Sequence, residues 1–197
     1  LHVAGLVQVS VGNGTMRPFV LVGIENTERR RDLTGPTDNE EDKKVAPRVG
    51  GSAKFRSFLK TELMPEVERR YRTTAERAIV GESFAGLFVV ETFFLEPDLF
   101  DSYLAFDPSL WWNDAKLLAS VRERLGSRSD WAKTLFLANS GQKEISELTA
   151  RLAGILREVA PKGLHVFHTP MPAETHATIY HPAALAAFRT AFGDRKP

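Results

Sequence analysis

The segment Gly81-Glu82-Ser83-Phe84-Ala85-Gly86 sets a serine between two small residues, Gly81 and Ala85, each two positions away. A chain that turns sharply from a strand into a helix needs this spacing, because the helix returns close against the strand it has just left. Such a turn projects the serine hydroxyl above the sheet edge, where it can attack a carbonyl carbon. The Phe84 N–H then opens the helix and can donate to the oxyanion that forms, which makes Phe84 the candidate oxyanion-hole residue. The flanks fit: residues 77–80 (Arg-Ala-Ile-Val) are strand-like, and residues 87–94 are almost wholly apolar. Ala85 stands where the strict G-x-S-x-G pattern has glycine, so a structural serine in an ordinary strand–helix turn is the competing reading.

A nucleophilic serine needs a base and an acid, which in this arrangement follow it in chain order as acid and then histidine. Of the five histidines, His2 precedes the serine, and His165 and His168 fall on or beside an apolar strand. His176 lies in the loop Met171-Pro172-Ala173-Glu174-Thr175-His176-Ala177 after that strand, where a base must stand to reach a serine at the strand ends. Its unperturbed imidazole also suits base work near neutral pH. His181 opens the following helix, where capping or surface placement is the simpler reading. The acid orients the imidazole and is expected after the penultimate strand. Glu144 meets that expectation, with Glu147 one turn later; Asp107, which ends another strand just before Pro108, is its rival. Any of these acids could instead be a charge at a helix N-terminus.

The elements that must carry these residues are short apolar runs at 19–24, 77–80, 102–106, 134–138 and 164–167. Each reads as a strand buried on both faces of a parallel sheet. Between them run helical stripes: Phe55, Phe58, Leu59, Leu63 and Val67, with Pro65 expected to kink the helix, and Ile145, Leu148, Leu152, Ile155, Leu156 and Val159. A last helix opens at His181-Pro182, proline being tolerated in a first turn. Alternating strands and helices predict a single α/β domain over 1–197 with a mostly parallel sheet. The polar stretch 28–51 reads as a solvated loop, with substrate gating as the alternative.

Composition narrows the remaining classes. A formal net charge of +1 leaves no electrostatic footprint for nucleic acid or an anionic membrane. The longest apolar run contains Glu91 and is too short to span a bilayer. With no cysteine there is no disulfide, thiolate metal site or cysteine nucleophile. No H-E-x-x-H or clustered histidine–carboxylate spacing points to a metal, and no cofactor is expected. Gly50-Gly51 before a helix lacks the lysine of a phosphate loop and reads as a turn. The chain begins at Leu1 without a signal-peptide pattern, as expected of a trimmed end, and the compartment is not legible in it.

These residues resemble those of the putative esterase family of α/β-hydrolases, which includes enterobactin-type siderophore esterases and esterase D-like enzymes. The resemblance runs through Val22-Gly23-Ile24-Glu25-Asn26 and Arg31-Asp32-Leu33-Thr34 to the serine turn. It continues in Asp107-Pro108-Ser109-Leu110-Trp111-Trp112 and Glu174-Thr175-His176. It implies a three-layer α/β-hydrolase sandwich with helices on both faces of the sheet. It also implies Ser83 as nucleophile and His176 as base, and it mildly favours Glu144. Trp111 and Trp112 would line a pocket for a small-molecule ester. Family members also carry a leucine-aspartate-glycine strand end upstream, whose backbone supplies a second oxyanion donor. Nothing before Phe19 matches it, so the first strands are expected to be lacking. Loss of one such donor costs about 10²–10³ in turnover, and an uncovered sheet edge would favour association into a homo-oligomer. The expected reaction is hydrolysis of a carboxylic ester; an acyltransferase on the same residues and a non-catalytic binding protein on the same fold are the alternatives.

Overall fold

The computed structural model describes residues 1–26, 28–126 and 131–193. Four parallel strands form one sheet in the order β1 (Ala78–Glu82), β2 (Ser102–Phe106), β3 (Lys133–Ser140) and β4 (Leu164–Met171). Ten α-helices are described: α1 (His2–Gly12), α2 (Arg29–Asp32), α3 (Glu40–Lys44), α4 (Ser52–Phe58), α5 (Met64–Arg70), α6 (Phe84–Leu95), α7 (Lys116–Ala119), α8 (Val121–Gly126), α9 (Lys143–Val159) and α10 (Tyr180–Phe192). One face of the sheet buries Leu87, Phe88 and Phe93 of α6 with Leu125 of α8 and Leu152 and Leu156 of α9. The other buries Leu104, Phe106 and Phe136 against Ala183, Ala187 and Phe188 of α10, with Val3 and Leu6 of α1 at the margin. Helices thus cover both faces in a three-layer α/β arrangement, as the family resemblance implies, and the sheet is parallel, as the alternating pattern predicts.

The composition of β2 explains its place in the middle. All of its residues, Ser102–Phe106, are buried, as a strand covered on both faces must be. Helix α6 has apolar residues all round and is buried over most of its length, whereas α9 keeps one apolar stripe and turns its charges to solvent.

Two expectations change. The helix carrying Pro65 continues from α4 to α5, but through a π-helical turn at Leu59–Leu63. Proline has no N–H for the carbonyl one turn back, and a widened turn absorbs the mismatch. The apolar run 19–24 is not a strand: no described strand pairs with it, and Val20, Leu21, Val22 and Ile24 are exposed. Strand-forming composition yields a strand only where a neighbouring backbone accepts its hydrogen bonds. The run lies instead across a cleft from the outer edge of β1.

Candidate active site

Ser83 sits between β1 and α6 with φ 61° and ψ −123°, a backbone conformation that a residue with a side chain rarely adopts. The turn survives because its neighbours hold it. The Ser83 N–H donates to the Phe106 carbonyl at 3.0 Å, and the Ser83 carbonyl accepts from Leu87 at 2.8 Å and Ser109 at 3.2 Å. Gly81 is required: a Cβ there would lie 2.5 Å from the backbone carbon and oxygen of Ala85. At Gly86 it would lie 2.8 Å from the Phe106 carbonyl oxygen. The first amides of α6, beginning with Phe84, have no carbonyl within the helix to bond to.

Beyond the end of β2, Asp107 also takes a positive φ, 41°. Its N–H donates to the Ala138 carbonyl at 2.9 Å, which locks it to the neighbouring strand β3. The carboxylate is fully buried, and both of its oxygens have partners. Oδ1 accepts the Ser140 N–H at 2.5 Å, and Oδ2 faces His176 Nδ1 at 2.9 Å. Because a carboxylate only accepts, Nδ1 carries the proton of that bond, and the neutral ring then presents Nε2 as its acceptor. The His176 side chain is 37% exposed, so it is open to solvent on the side away from Asp107.

The loop holding His176 is itself tied to the sheet. Glu174 N–H donates to Met171, Gly141 N–H donates to Glu174 at 3.0 Å, and Ile179 N–H donates to Thr175 at 3.0 Å as the chain turns towards α10. A Cβ on Gly141 would meet the Pro172 carbonyl at 2.5 Å, so only glycine admits that close approach.

Glu82, the residue before the serine, is partly buried, and burial raises its carboxyl above the usual range. Attraction to His176 and Arg29 opposes that rise, and Asp107 adds to it. Burial likewise raises the Tyr180 phenol, helped by the charge of Glu82.

The structure brings Ser83, Phe84 and His176 to the strand ends, but not Glu144. Glu144 is exposed in the first turn of α9, and the carboxylate bonded to His176 belongs to Asp107. A helix N-terminus offers an acid solvent and a favourable dipole; the strand end offers Asp107 the imidazole itself. Trp112 is buried and donates its Nε1–H to the Gly35 carbonyl at 2.9 Å, so it pins the preceding loop. Trp111 is partly exposed, and both indoles pack edge-on to Phe84, with centroids 5.7 and 5.6 Å away. His168 bonds Asn139 Oδ1 at 2.8 Å, and His181 contacts His2; both lie outside the Ser83 turn. Sequence reasoning missed the part played by Ser140, whose amide fixes the second oxygen of Asp107.

The family model "Putative esterase" matches residues 2–147. The chain belongs to that family. Among its relatives, this esterase-family chain is 36% identical over 116 residues to the ferri-bacillibactin esterase BesA of Bacillus subtilis, a match covering 56% of the chain and 38% of BesA. It is also 36% identical over 108 residues to the siderophore enterobactin esterase of Emericella nidulans, covering 50% of the chain and 36% of that protein. An IroE-like serine hydrolase from Shewanella oneidensis superposes with a TM-score of 0.87 at 29% identity, over 97% of this chain and 66% of its own. The matches to the two curated relatives thus span little more than a third of their length.

Proposed function

We propose that this esterase-family chain carries the catalytic residues of a serine esterase that hydrolyses carboxylic esters through an acyl-enzyme intermediate. The observation that carries the reading is the buried Asp107 bonded to His176 Nδ1 at the same sheet edge as the strained Ser83 turn. Ser83 Oγ attacks the ester carbonyl carbon, and its proton passes to His176 Nε2. Asp107 holds the ring in the tautomer that leaves Nε2 free and stabilises the imidazolium. The carbonyl electrons move onto oxygen, where the Phe84 N–H donates to them. When the tetrahedral intermediate collapses, the bond to the leaving alcohol breaks and the imidazolium protonates that alcohol. Water then attacks the acyl carbon as His176 takes its proton; the acyl–Ser83 bond breaks, the imidazolium returns the proton to Ser83 Oγ, and the carboxylic acid leaves.

The relatives' names support a siderophore ester as the substrate class. The partly exposed Trp111 beside Phe84 supplies an aromatic wall for such a ligand. The test is covalent labelling with a fluorophosphonate, together with hydrolysis of a p-nitrophenyl ester. The expected result is a label on Ser83 that Ser83→Ala abolishes, with hydrolysis falling by at least about 10³. A wild-type chain that takes no label, or a Ser83→Ala variant within tenfold of it, would sink the assignment.

A further inference from the structure

β2 ends at Phe106, opposite Ala138, but β3 runs on to Ser140. Alternate residues of a strand turn their backbone groups to the same side, so Ser140, like Ala138, presents its N–H and C=O towards the β2 side. Ala138 still meets main chain there: its carbonyl accepts the Asp107 N–H at 2.9 Å. Beyond the end of β2, side chains meet the buried groups of Ser140 instead. Its N–H donates to Asp107 Oδ1 at 2.5 Å, and its C=O accepts from Asn139 Nδ2 at 3.0 Å.

The Asn139 amide has one orientation that satisfies its neighbours. The Ser140 carbonyl can only accept, so the NH₂ faces it, and that group also donates to Ser146 Oγ of α9 at 3.0 Å. Oδ1 then faces His168 of β4 at 2.8 Å and accepts from its Nε2–H. Asn139 is buried to 1% exposure, and a buried amide bonded on every side is most often structural. Its bond to Ser140 does something more specific. It closes a ring of side chain and backbone around the 139–140 peptide, and the N–H of that same peptide holds Asp107.

We propose, resting on the esterase reading above, that Asn139 is a positioning residue for Asp107: its side chain fixes the 139–140 peptide, whose N–H keeps the carboxylate in line with His176. His168 holds Asn139 in turn, so a chain of bonds runs from β4 through Asn139 and Ser140 to Asp107. Without the ring the peptide turns, Asp107 loses its second anchor, and Oδ2 drifts from the Nδ1–H. None of these groups touches the ester, so the loss falls on kcat and leaves KM in place.

The experiment compares Asn139→Leu, His168→Leu and His168→Gln with the parent chain, each well below its melting temperature. The readouts are kcat and KM for p-nitrophenyl butyrate, the rate of fluorophosphonate labelling, and the downfield proton signal of the His176 Nδ1–H. Asn139→Leu keeps the side-chain size and should lower kcat and the labelling rate by about 10–10² with KM unchanged. It should also remove the downfield signal. His168→Leu should lower kcat by about tenfold. Glutamine can place an N–H where His168 has its Nε2–H, so His168→Gln should bring kcat back to within about twofold of the parent. A merely structural Asn139 would lower the melting temperature but leave kcat and the downfield signal of the folded chain unchanged, and that result overturns the inference. Equal losses in His168→Leu and His168→Gln overturn it too, and these two variants decide the matter if Asn139→Leu does not fold. Labelling of the parent at Ser83 is read separately, so a labelled parent with an unaffected Asn139→Leu sinks this inference and leaves the esterase reading standing.

Discussion

Replacing Asp107 by asparagine keeps the shape of the buried carboxylate and changes only what it offers the ring. In the native site Oδ1 takes the Ser140 N–H at 2.5 Å and Oδ2 takes the His176 Nδ1–H at 2.9 Å. An asparagine whose oxygen keeps the Ser140 bond must turn its NH₂ towards Nδ1. Two donors cannot face each other, so the imidazole proton moves to Nε2, the nitrogen that must accept the Ser83 proton. The ring stays in place with the wrong tautomer. The expected loss in kcat is about 10³–10⁴, or about 4–5 kcal/mol of transition-state stabilisation at 1.36 kcal/mol per tenfold, with KM little changed. The assay is p-nitrophenyl butyrate hydrolysis, with the fluorophosphonate labelling rate measured in parallel because it reads the acylation step alone. Glu144→Gln is the control: exposed on α9, it should stay within about twofold of the parent. An Asp107→Asn variant within tenfold of the parent, or an equal loss at Glu144→Gln, would refute the reasoning.

Other consequences are equally direct. Gly81→Ala drives a Cβ into backbone atoms 2.5 Å away that have no flexible end to yield, so urea titration should show a loss of about 1–3 kcal/mol, with labelling of Ser83 impaired. Trp112→Phe leaves the buried Gly35 carbonyl without its donor and should cost about 1–3 kcal/mol by the same titration; an unchanged midpoint would show that the loop is held elsewhere. Burial, with the nearby charge of Arg157, holds the His168 imidazole below its usual range. The unfolded chain therefore binds the proton more readily, and this part of the stability is complete above about pH 6.5 and lost as pH falls towards the lowered value. His168→Gln should make the melting temperature fall less between pH 7 and pH 5; a steeper fall would contradict the assignment.

The elbow and His176 were legible because both depend on order and local spacing. Small residues flank Ser83, and the loop after the last apolar run holds one well-placed histidine. The acid was not. Glu144 and Asp107 each follow a strand in the right order, and what separates them is the parallel register that sets Asp107 beside Ala138 and Ser140 of the next strand. That contact joins distant segments, and no local pattern encodes it. The run 19–24 shows the complementary gap: its composition is that of a buried strand, but pairing depends on a neighbour. Helix α1 was unforeseen because its apolar residues form no clear stripe, and only Ser10 within it is buried.

The site is spread along the sheet in strand order: Ser83 after β1, Asp107 after β2, Ser140 at the end of β3 and His176 beyond β4. No local element contains two members of the Ser83, Asp107 and His176 set. Each successive strand must close a crossover of its own before its residue arrives, and such non-local closures are slow steps in folding. A chain that has formed α6 and paired β1 with β2 already has its strained serine and the proposed acid, yet the proposed base has not docked. On the proposed mechanism, reactivity at Ser83 is therefore a clock for folding: on dilution from denaturant it should return after the helical signal, at the moment the last strand docks.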